Sequence, residues 1–216
     1  MREPGTVLLV GCGSQGRVVL DLFRQAGRFA EIGGFLDAYG DGARGPIGGV
    51  AVLGGLAFLD RARGEGFCAA IVPVGENSLR QGVTERVVAS GLELESIVAP
   101  SATIGGGVVL GPGAMVSAGA IVVTGARVGR CAILNTGCTV DHDCELGDFI
   151  HVCPGAHLAG NVKVGDRTMI GIGASAIQGV RIGPDVTIGA GAAVVDDVPG
   201  GVTAAGVPAR PIRGPS

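Results

Sequence analysis

Between Ile97 and Val198 the apolar positions of the chain recur every six residues without a break. In that frame the segment begins IVAPSA, TIGGGV, VLGPGA, MVSAGA, IVVTGA and ends RIGPDV, TIGAGA, AVVDDV. Sixteen of its seventeen second-position residues are Val, Ile or Leu, and Ala176 is the exception. A helix needs apolar residues at spacings of three and four, and a half-buried strand alternates over two, so a period of six fits neither. It fits a parallel β-solenoid in which each unit is a short strand plus a turn, the branched residue points into the coil, and equivalent residues stack about 4.8 Å apart. The sixth position is mostly Ala, Val or Cys, small enough for a tight corner, and glycine recurs beside the turns.

This pattern resembles the hexapeptide repeat of the left-handed β-helix acyltransferases, in which three units make one triangular coil. Seventeen units then predict a little under six coils.

Ahead of the repeat, residues 6 to 95 carry mixed periodicities that predict an α/β unit. Thr6 to Val10 is an apolar run, Arg17 to Gln25 has helical spacing, and Ile32 to Leu36 is a second strand ending at Asp37. Tyr39 to Gly49 is rich in Gly and Asp and reads as a loop. A helix is expected over Leu56 to Arg63, a strand over Ala69 to Val74 and a helix over Asn77 to Ser90 capped by Asn77 or Ser78, after which Leu92 to Val98 leads into the coil. Strands alternating with helices imply a parallel sheet with right-handed crossovers. The expected organisation is a Rossmann-like nucleotide-binding unit at 1–96, a β-helix at 97–198 and a C-terminal tail at 199–216.

The first strand is followed by Gly11, Cys12, Gly13, Ser14, Gln15 and Gly16, a G-x-G-x-x-G turn opening a helix, and Asp37 closes the next strand. The physics is that of a dinucleotide fingerprint: glycines admit a pyrophosphate, the helix N-terminus favours an anion, and the carboxylate accepts from hydroxyls or ring N–H groups. A unit of about 90 residues offers half of a two-lobed dinucleotide site, so a single nucleotide diphosphate is expected rather than NAD, with a purely structural glycine turn as the other reading.

Composition narrows the classes. The mean hydropathy of +0.50 comes from aliphatic residues with only 16% charged positions, and no run reaches the roughly 18 to 20 apolar residues of a spanning helix. No charged-then-apolar leader opens the chain, so the cytoplasm is the expected compartment. A net charge of −3, 3% aromatics and no Trp exclude a basic, ring-lined nucleic-acid surface. The six cysteines form no C-x-x-C pair, and all are expected to be reduced packing residues.

All three histidines, His142, His151 and His157, fall within sixteen residues of the repeat. His142 lies between Asp141 and Asp143, so a carboxylate is available to hold its tautomer, and an imidazole so held is a natural general base. Three readings stand at this point. His142 deprotonates an attacking amine, or the three histidines bind zinc, or they decorate a polar corner. Spacings of nine and six residues differ from the pattern of the zinc-dependent hexapeptide carbonic anhydrases, so no metal is expected.

The glycine-rich unit, the stretch NTGCTVDHDCELGDFIHVCPGAHLAGNVKVGD and the ending GVPAR together resemble, over essentially the whole chain, the bacterial nucleotide-sugar N-acetyltransferases of bacillosamine and perosamine. The sialic acid O-acetyltransferases are similar relatives. The resemblance implies an acetyl-CoA-dependent transfer to the C4 amine of a nucleotide-linked 4-amino-4,6-dideoxysugar, with His142 as base, Asp143 as its acidic partner and the Gly160 N–H facing the thioester oxygen. It implies that Gly13, Ser14, Gln15, Asp37, Ala38 and Gly75 hold the nucleotide and Asn135 the sugar. His151, Ile172 and Ala190 would line the acetyl-CoA path, and two readings stand for Arg210 of GVPAR, a contact to a CoA phosphate or a solvated tail residue. Gln15 stands where the family often has His, and Ala38 where it often has a polar group, so UDP and GDP both stay open. The family further implies a homotrimer with active sites between neighbouring coils. Two other classes remain: a sugar O-acetyltransferase of the sialic acid type, and a silent sugar-nucleotide binding protein.

Overall fold

The computed structural model describes residues 2–41 and 45–213; residues 42–44 of the predicted Tyr39–Gly49 loop lie outside the described residues. The chain divides into two compact units, Met1–Ala99 and Pro100–Ser216.

The first unit is a five-stranded parallel sheet. Its strands are β1 (Val7–Val10), β2 (Ile32–Asp37), β3 (Val52–Gly55), β4 (Ala69–Ile71) and β5 (Glu93–Leu94), hydrogen-bonded in the order β3-β2-β1-β4-β5. Helices α1 (Ser14–Gln25), α2 (Leu59–Ala62) and α3 (Asn77–Ala89) connect them. The chain runs outward from β1 through β2 to β3 and then returns to the other side of β1, so β1 and β4 flank the point where strand order reverses. Ligands of open α/β sheets bind beyond the carboxyl ends of the strands at such a reversal. Leu8, Val10, Leu36, Leu59, Val83 and Val87 form part of one buried cluster that ties sheet to helices.

Two sequence expectations are corrected here. β3 was not expected: Val52 to Gly55 has two glycines and only half-buried side chains, because it pairs with β2 alone at the sheet edge. The cap of α3 is neither Asn77 nor Ser78 but Glu76, whose carboxylate accepts from the N–H groups of Ser78 and Leu79 at 2.9 and 2.6 Å. A carboxylate there also meets the positive end of the helix dipole.

In the second unit every six-residue repeat becomes a two-residue strand and a turn, and the strands line three parallel sheets of a left-handed β-helix. Equivalent positions pair at a register of eighteen residues, as in Ile121 with Thr139 and Thr139 with His157. Backbone hydrogen bonds carry that register from coil to coil: Ile121 N–H to Cys138 O at 2.9 Å, Thr139 N–H to Ala156 O at 2.9 Å. Val122, Val140, Leu158, Ala176 and Val194 stack inward and are buried. Ile104, in the first coil, is partly exposed. Beyond the repeat, Thr203–Ala205 adds a parallel strand beside Thr187–Ile188, and Arg210–Arg213 folds back antiparallel on it.

One face shows how tightly the coils close. Its third positions, Gly111, Gly129, Gly147, Gly165 and Gly183, are glycine in every coil, because a Cβ there would lie 2.3–2.5 Å from an atom of the next coil's turn. At Gly165 the obstructing atom is the backbone nitrogen of Pro184, 2.4 Å away, which cannot swing aside. Gly165→Ala is therefore expected to destabilise the protein by about 1–3 kcal/mol, as overpacking does, seen as a lower melting temperature. An unchanged melting temperature would mean that the coils are further apart than described.

Candidate active site

A turn at the fourth and fifth positions of a repeat stands on an edge of the coil, and the eighteen-residue register stacks such turns in columns. On one edge the column of fourth positions runs Gly106, Thr124, His142, Gly160, Gln178 and Asp196. His142 and Gly160 are thus neighbours in space by register alone.

The ring of His142 is held from both ends. Its Nδ1 lies 3.0 Å from Oδ2 of Asp143, and the next residue's φ of 57° turns that carboxylate back toward it. The backbone N–H of His142 donates to Oδ1 of Asp141 at 2.7 Å. A Cβ on residue 160 would lie 2.4 Å from both Cε1 and Nε2 of the ring, so the imidazole occupies space that only glycine leaves open. With Nδ1–H donating to the carboxylate, Nε2 carries the lone pair. Among the described residues it meets no hydrogen-bonding partner, and neither does the Gly160 N–H. The side chain of His142 is 49% exposed and that of Asp143 61%. Exposed pairs contribute about 0–1 kcal/mol to stability, so this contact orients the ring rather than holding the fold. The arrangement sets an imidazole lone pair against Gly160, whose N–H has no partner among the described residues; a base and a backbone donor are the kinds of group that a proton-accepting acyl transfer uses.

The other two histidines have different partners. Asn135 accepts the Thr136 N–H on Oδ1 at 2.8 Å, which turns its Nδ2 toward Nε2 of His151 at 3.2 Å. An amide NH₂ can only donate, so Nε2 of His151 accepts. His157 Nδ1 lies 3.0 Å from the Thr139 hydroxyl. Among the described residues no group of three or more His, Cys, Asp or Glu side chains is placed to hold a metal ion.

Ile172 and Ala190 stack in successive coils on a second edge, joined by the Gly191 N–H to the Ile172 carbonyl at 2.8 Å. Ile172 is 61% exposed, an unusual place for a large apolar side chain. Asn135 and His151 lie on the face that leads to this edge. The structure therefore joins His142, Asp143 and Gly160 on one edge and sets Asn135, His151, Ile172 and Ala190 along another. The face between the edges bears a cavity of about 410 Å³ lined by Thr139, Asp141, His157, Ser175, Ile177 and Gln178. Sequence reading gave no role to Thr139, Ser175 or Gln178; the eighteen-residue register was the signal that places them beside the histidines. A larger groove of about 810 Å³ runs along the glycine-floored face. Its rim of Arg127, Glu145, Lys163 and Arg181 includes a Lys163–Glu145 ion pair at 2.8 Å, and it contains no histidine. Arg210 pairs with Asp196 at 3.1 Å.

In the first unit the candidate nucleotide residues converge at the carboxyl ends of β1, β2 and β4. A Cβ at Gly16 would meet the Gly11 carbonyl at 2.1 Å, so the third glycine lets α1 close on the turn, whereas Gly13 faces open space. Gln15 Nε2 is buried with no hydrogen-bond partner among the described residues. Asp37 is 3% exposed and accepts the Tyr39 N–H at 3.0 Å, with Ala38 buried beside it. Gly75 lies in a loop clamped by Arg80, a fully buried guanidinium that donates to Val74 O at 2.8 Å, Gly75 O at 3.3 Å and Asn77 Oδ1 at 2.8 Å. Arg80 was missed in the sequence, where it reads as one more polar residue of a helix.

A glycine-turn α/β unit joined to a three-sided coil that carries a histidine–aspartate edge defines a hexapeptide-repeat acyltransferase with a nucleotide-binding unit. Residues 6–87 match the family model described as PglD N-terminal domain. A histidine-to-asparagine variant of perosamine N-acetyltransferase from Caulobacter crescentus, solved with CoA and GDP-perosamine, is 38% identical over 96% of each chain, with a TM-score of 0.91. The acetyltransferase domain of PglB from Neisseria gonorrhoeae, solved also with acetyl coenzyme A, is 40% identical over 95% of this chain and 98% of that one, with a TM-score of 0.89. WeeI from Acinetobacter baumannii is 25% identical over 95% of this chain and 99% of that one, at a TM-score of 0.85. Comparison with curated proteins gives no match. The chain belongs to the PglD family of nucleotide-sugar N-acetyltransferases.

The cysteines of the coil offer no nucleophile beside this site. Cys131, Cys138, Cys144 and Cys153 are buried and unbridged, and burial pushes the Cys138 thiol up to about 12 and raises those of Cys144 and Cys153. At pH 8 Cys138 is then about one part in ten thousand thiolate. Iodoacetamide at that pH should leave Cys138 unmodified in the native protein and alkylate it after unfolding, as read by peptide mass mapping. Rapid native labelling would mean that the coil interior is open.

Proposed function

We propose that this protein transfers the acetyl group of acetyl-CoA directly to the C4 amine of a nucleotide-linked 4-amino-4,6-dideoxysugar of the perosamine or bacillosamine type. The observation that carries this reading is the His142 ring, anchored through Nδ1 on Asp143 and packed with Nε2 against Gly160. A relative with 38% identity that was solved with CoA and GDP-perosamine, and altered at a histidine, supports it.

In this mechanism the amine nitrogen attacks the thioester carbonyl, an N–C bond forms and the C–S bond breaks. His142 Nε2 accepts the proton that the amine loses and returns it to the departing thiolate sulfur. Asp143 stabilises the imidazolium in between, and the Gly160 N–H donates to the developing oxyanion. No acyl-enzyme is formed. Gly13, Ser14, Gln15, Asp37, Ala38 and Gly75 hold the nucleotide, and Asn135 meets the sugar. His151, Ile172 and Ala190 line the acetyl-CoA arm, whose apolar stretch suits the exposed Ile172. Because the residues assigned to acetyl-CoA and those assigned to proton transfer occupy different edges of one coil, the complete site is assigned to neighbouring copies in a homotrimer. The protein works in the cytoplasm, where acetyl-CoA is made.

His142→Ala should lower kcat by about 10²- to 10⁴-fold, the usual contribution of a general base, while the KM for the nucleotide sugar stays near the parent value. Full turnover in that variant would remove His142 from the mechanism. A thermal-shift panel of UDP, GDP, dTDP, CDP, CoA and NAD should show stabilisation by CoA and by one of UDP or GDP, since a ligand that binds only the folded state raises the melting temperature. A shift with NAD and none with CoA would overturn the assignment.

A further inference from the structure

The carboxylate that holds His142 itself needs a place to stand, and that place lies one coil below. We propose that Gly125 is a positioning residue for the His142–Asp143 pair, its missing side chain forming the slot that Oδ1 of Asp143 occupies. This rests on the reading of His142 as the base. A Cβ on residue 125 would lie 2.6 Å from Oδ1 of Asp143, closer than any real contact. The other oxygen, Oδ2, makes the 3.0 Å contact with His142. The carboxylate is thus fixed between the imidazole and the bare Cα of Gly125, while the ring is fixed against Gly160.

Backbone conformation favours glycine here but does not require it. Residues 107, 125, 143, 161, 179 and 197 occupy the same turn position in successive coils. Asp143 and Asn161 adopt φ of 57° and 61° there, so the turn accepts an L residue with a short polar side chain. Gly107, at φ 73°, has its nearest would-be neighbour 3.9 Å away, and Gly179 has nothing within 4 Å. Of these three glycines only Gly125 faces the carboxylate. The obstructed atom is also the end of a side chain, not backbone. A methyl group at 125 would therefore leave the coil standing and push the carboxylate away from the ring.

The test compares Gly125→Ala with Gly107→Ala, which carries the same backbone strain at φ 75° and 73° and whose nearest would-be neighbour, the Gly125 backbone nitrogen, stands at an ordinary contact distance of 3.9 Å. Both should lose a similar amount of melting temperature. Gly125→Ala alone should lower kcat by about tenfold or more with the KM for both substrates nearly unchanged, and Gly107→Ala should keep parent kcat. In an Asp143→Ala background, where the slot is empty, Gly125→Ala should cost nothing further in kcat, a coupling that a double-mutant cycle measures. If Gly125→Ala folds poorly, the double variant should regain the melting temperature of Gly107→Ala, and failure to do so overturns the proposal. Equal kcat for the two glycine variants, or a loss that persists without the carboxylate, also overturns it. An impaired Asp143→Ala beside an unaffected Gly125→Ala would sink the slot alone. Full activity in Asp143→Ala would sink the acid–base reading with it.

Discussion

Coil-to-coil hydrogen bonding at a register of eighteen residues is the constraint from which the second unit follows. A parallel ladder built from two-residue strands cannot slip by one residue without turning Val140 and Leu158 out of the interior and Thr139 and His157 in. Because the register is fixed, whatever stands at one turn position is stacked on its counterparts above and below. The chemistry proposed for this edge rests on that stacking. His142 rests on Gly160 and Asp143 on Gly125, and in both cases the neighbour eighteen residues away leaves the room that the side chain fills.

The architecture was legible because a period of six is long, in frame and excludes the alternatives. The site was legible in part. The Asp-His-Asp run announced a held imidazole, and the ring does meet Asp143. The partners of the other two histidines were not readable, since each is chosen by what stands on a neighbouring coil: Asn135 for His151, Thr139 for His157. The edge strand β3 escaped notice because a strand paired on one side needs no continuous apolar face, and VLGG has none. Glu76 escaped as a cap because a carboxylate one residue before Asn77 looks like an ordinary surface charge until its oxygens are seen on the helix N–H groups.

In the first unit the glycines of the fingerprint divide their work in a way that the motif alone does not reveal. Gly16 is needed for the approach of α1 to Gly11, whereas among the described residues nothing lies within 4 Å of a Cβ placed on Gly13. The motif's packing role is satisfied internally, and its open side faces outward, as a ligand-approach position should. Arg80 extends this logic to the loop after β4. A buried guanidinium is costly unless its donors are used, and here they hold the carbonyls of Val74 and Gly75 and the amide of Asn77. Those contacts set the backbone of the loop that carries Gly75.

The two units therefore prepare their sites by opposite means. In the α/β unit a buried charge fixes a loop, and removing it would take its donors from the Val74 and Gly75 carbonyls and the Asn77 amide oxygen, so site and stability are coupled there. On the coil the pair His142 and Asp143 is half-exposed and adds little to stability, while the backbone beneath it is held by ladder bonds that do not involve either side chain. A scaffold whose stability comes from the ladder can change edge residues without changing its shape. The cost falls on orientation instead, and orientation is supplied by the empty positions in the coils above and below.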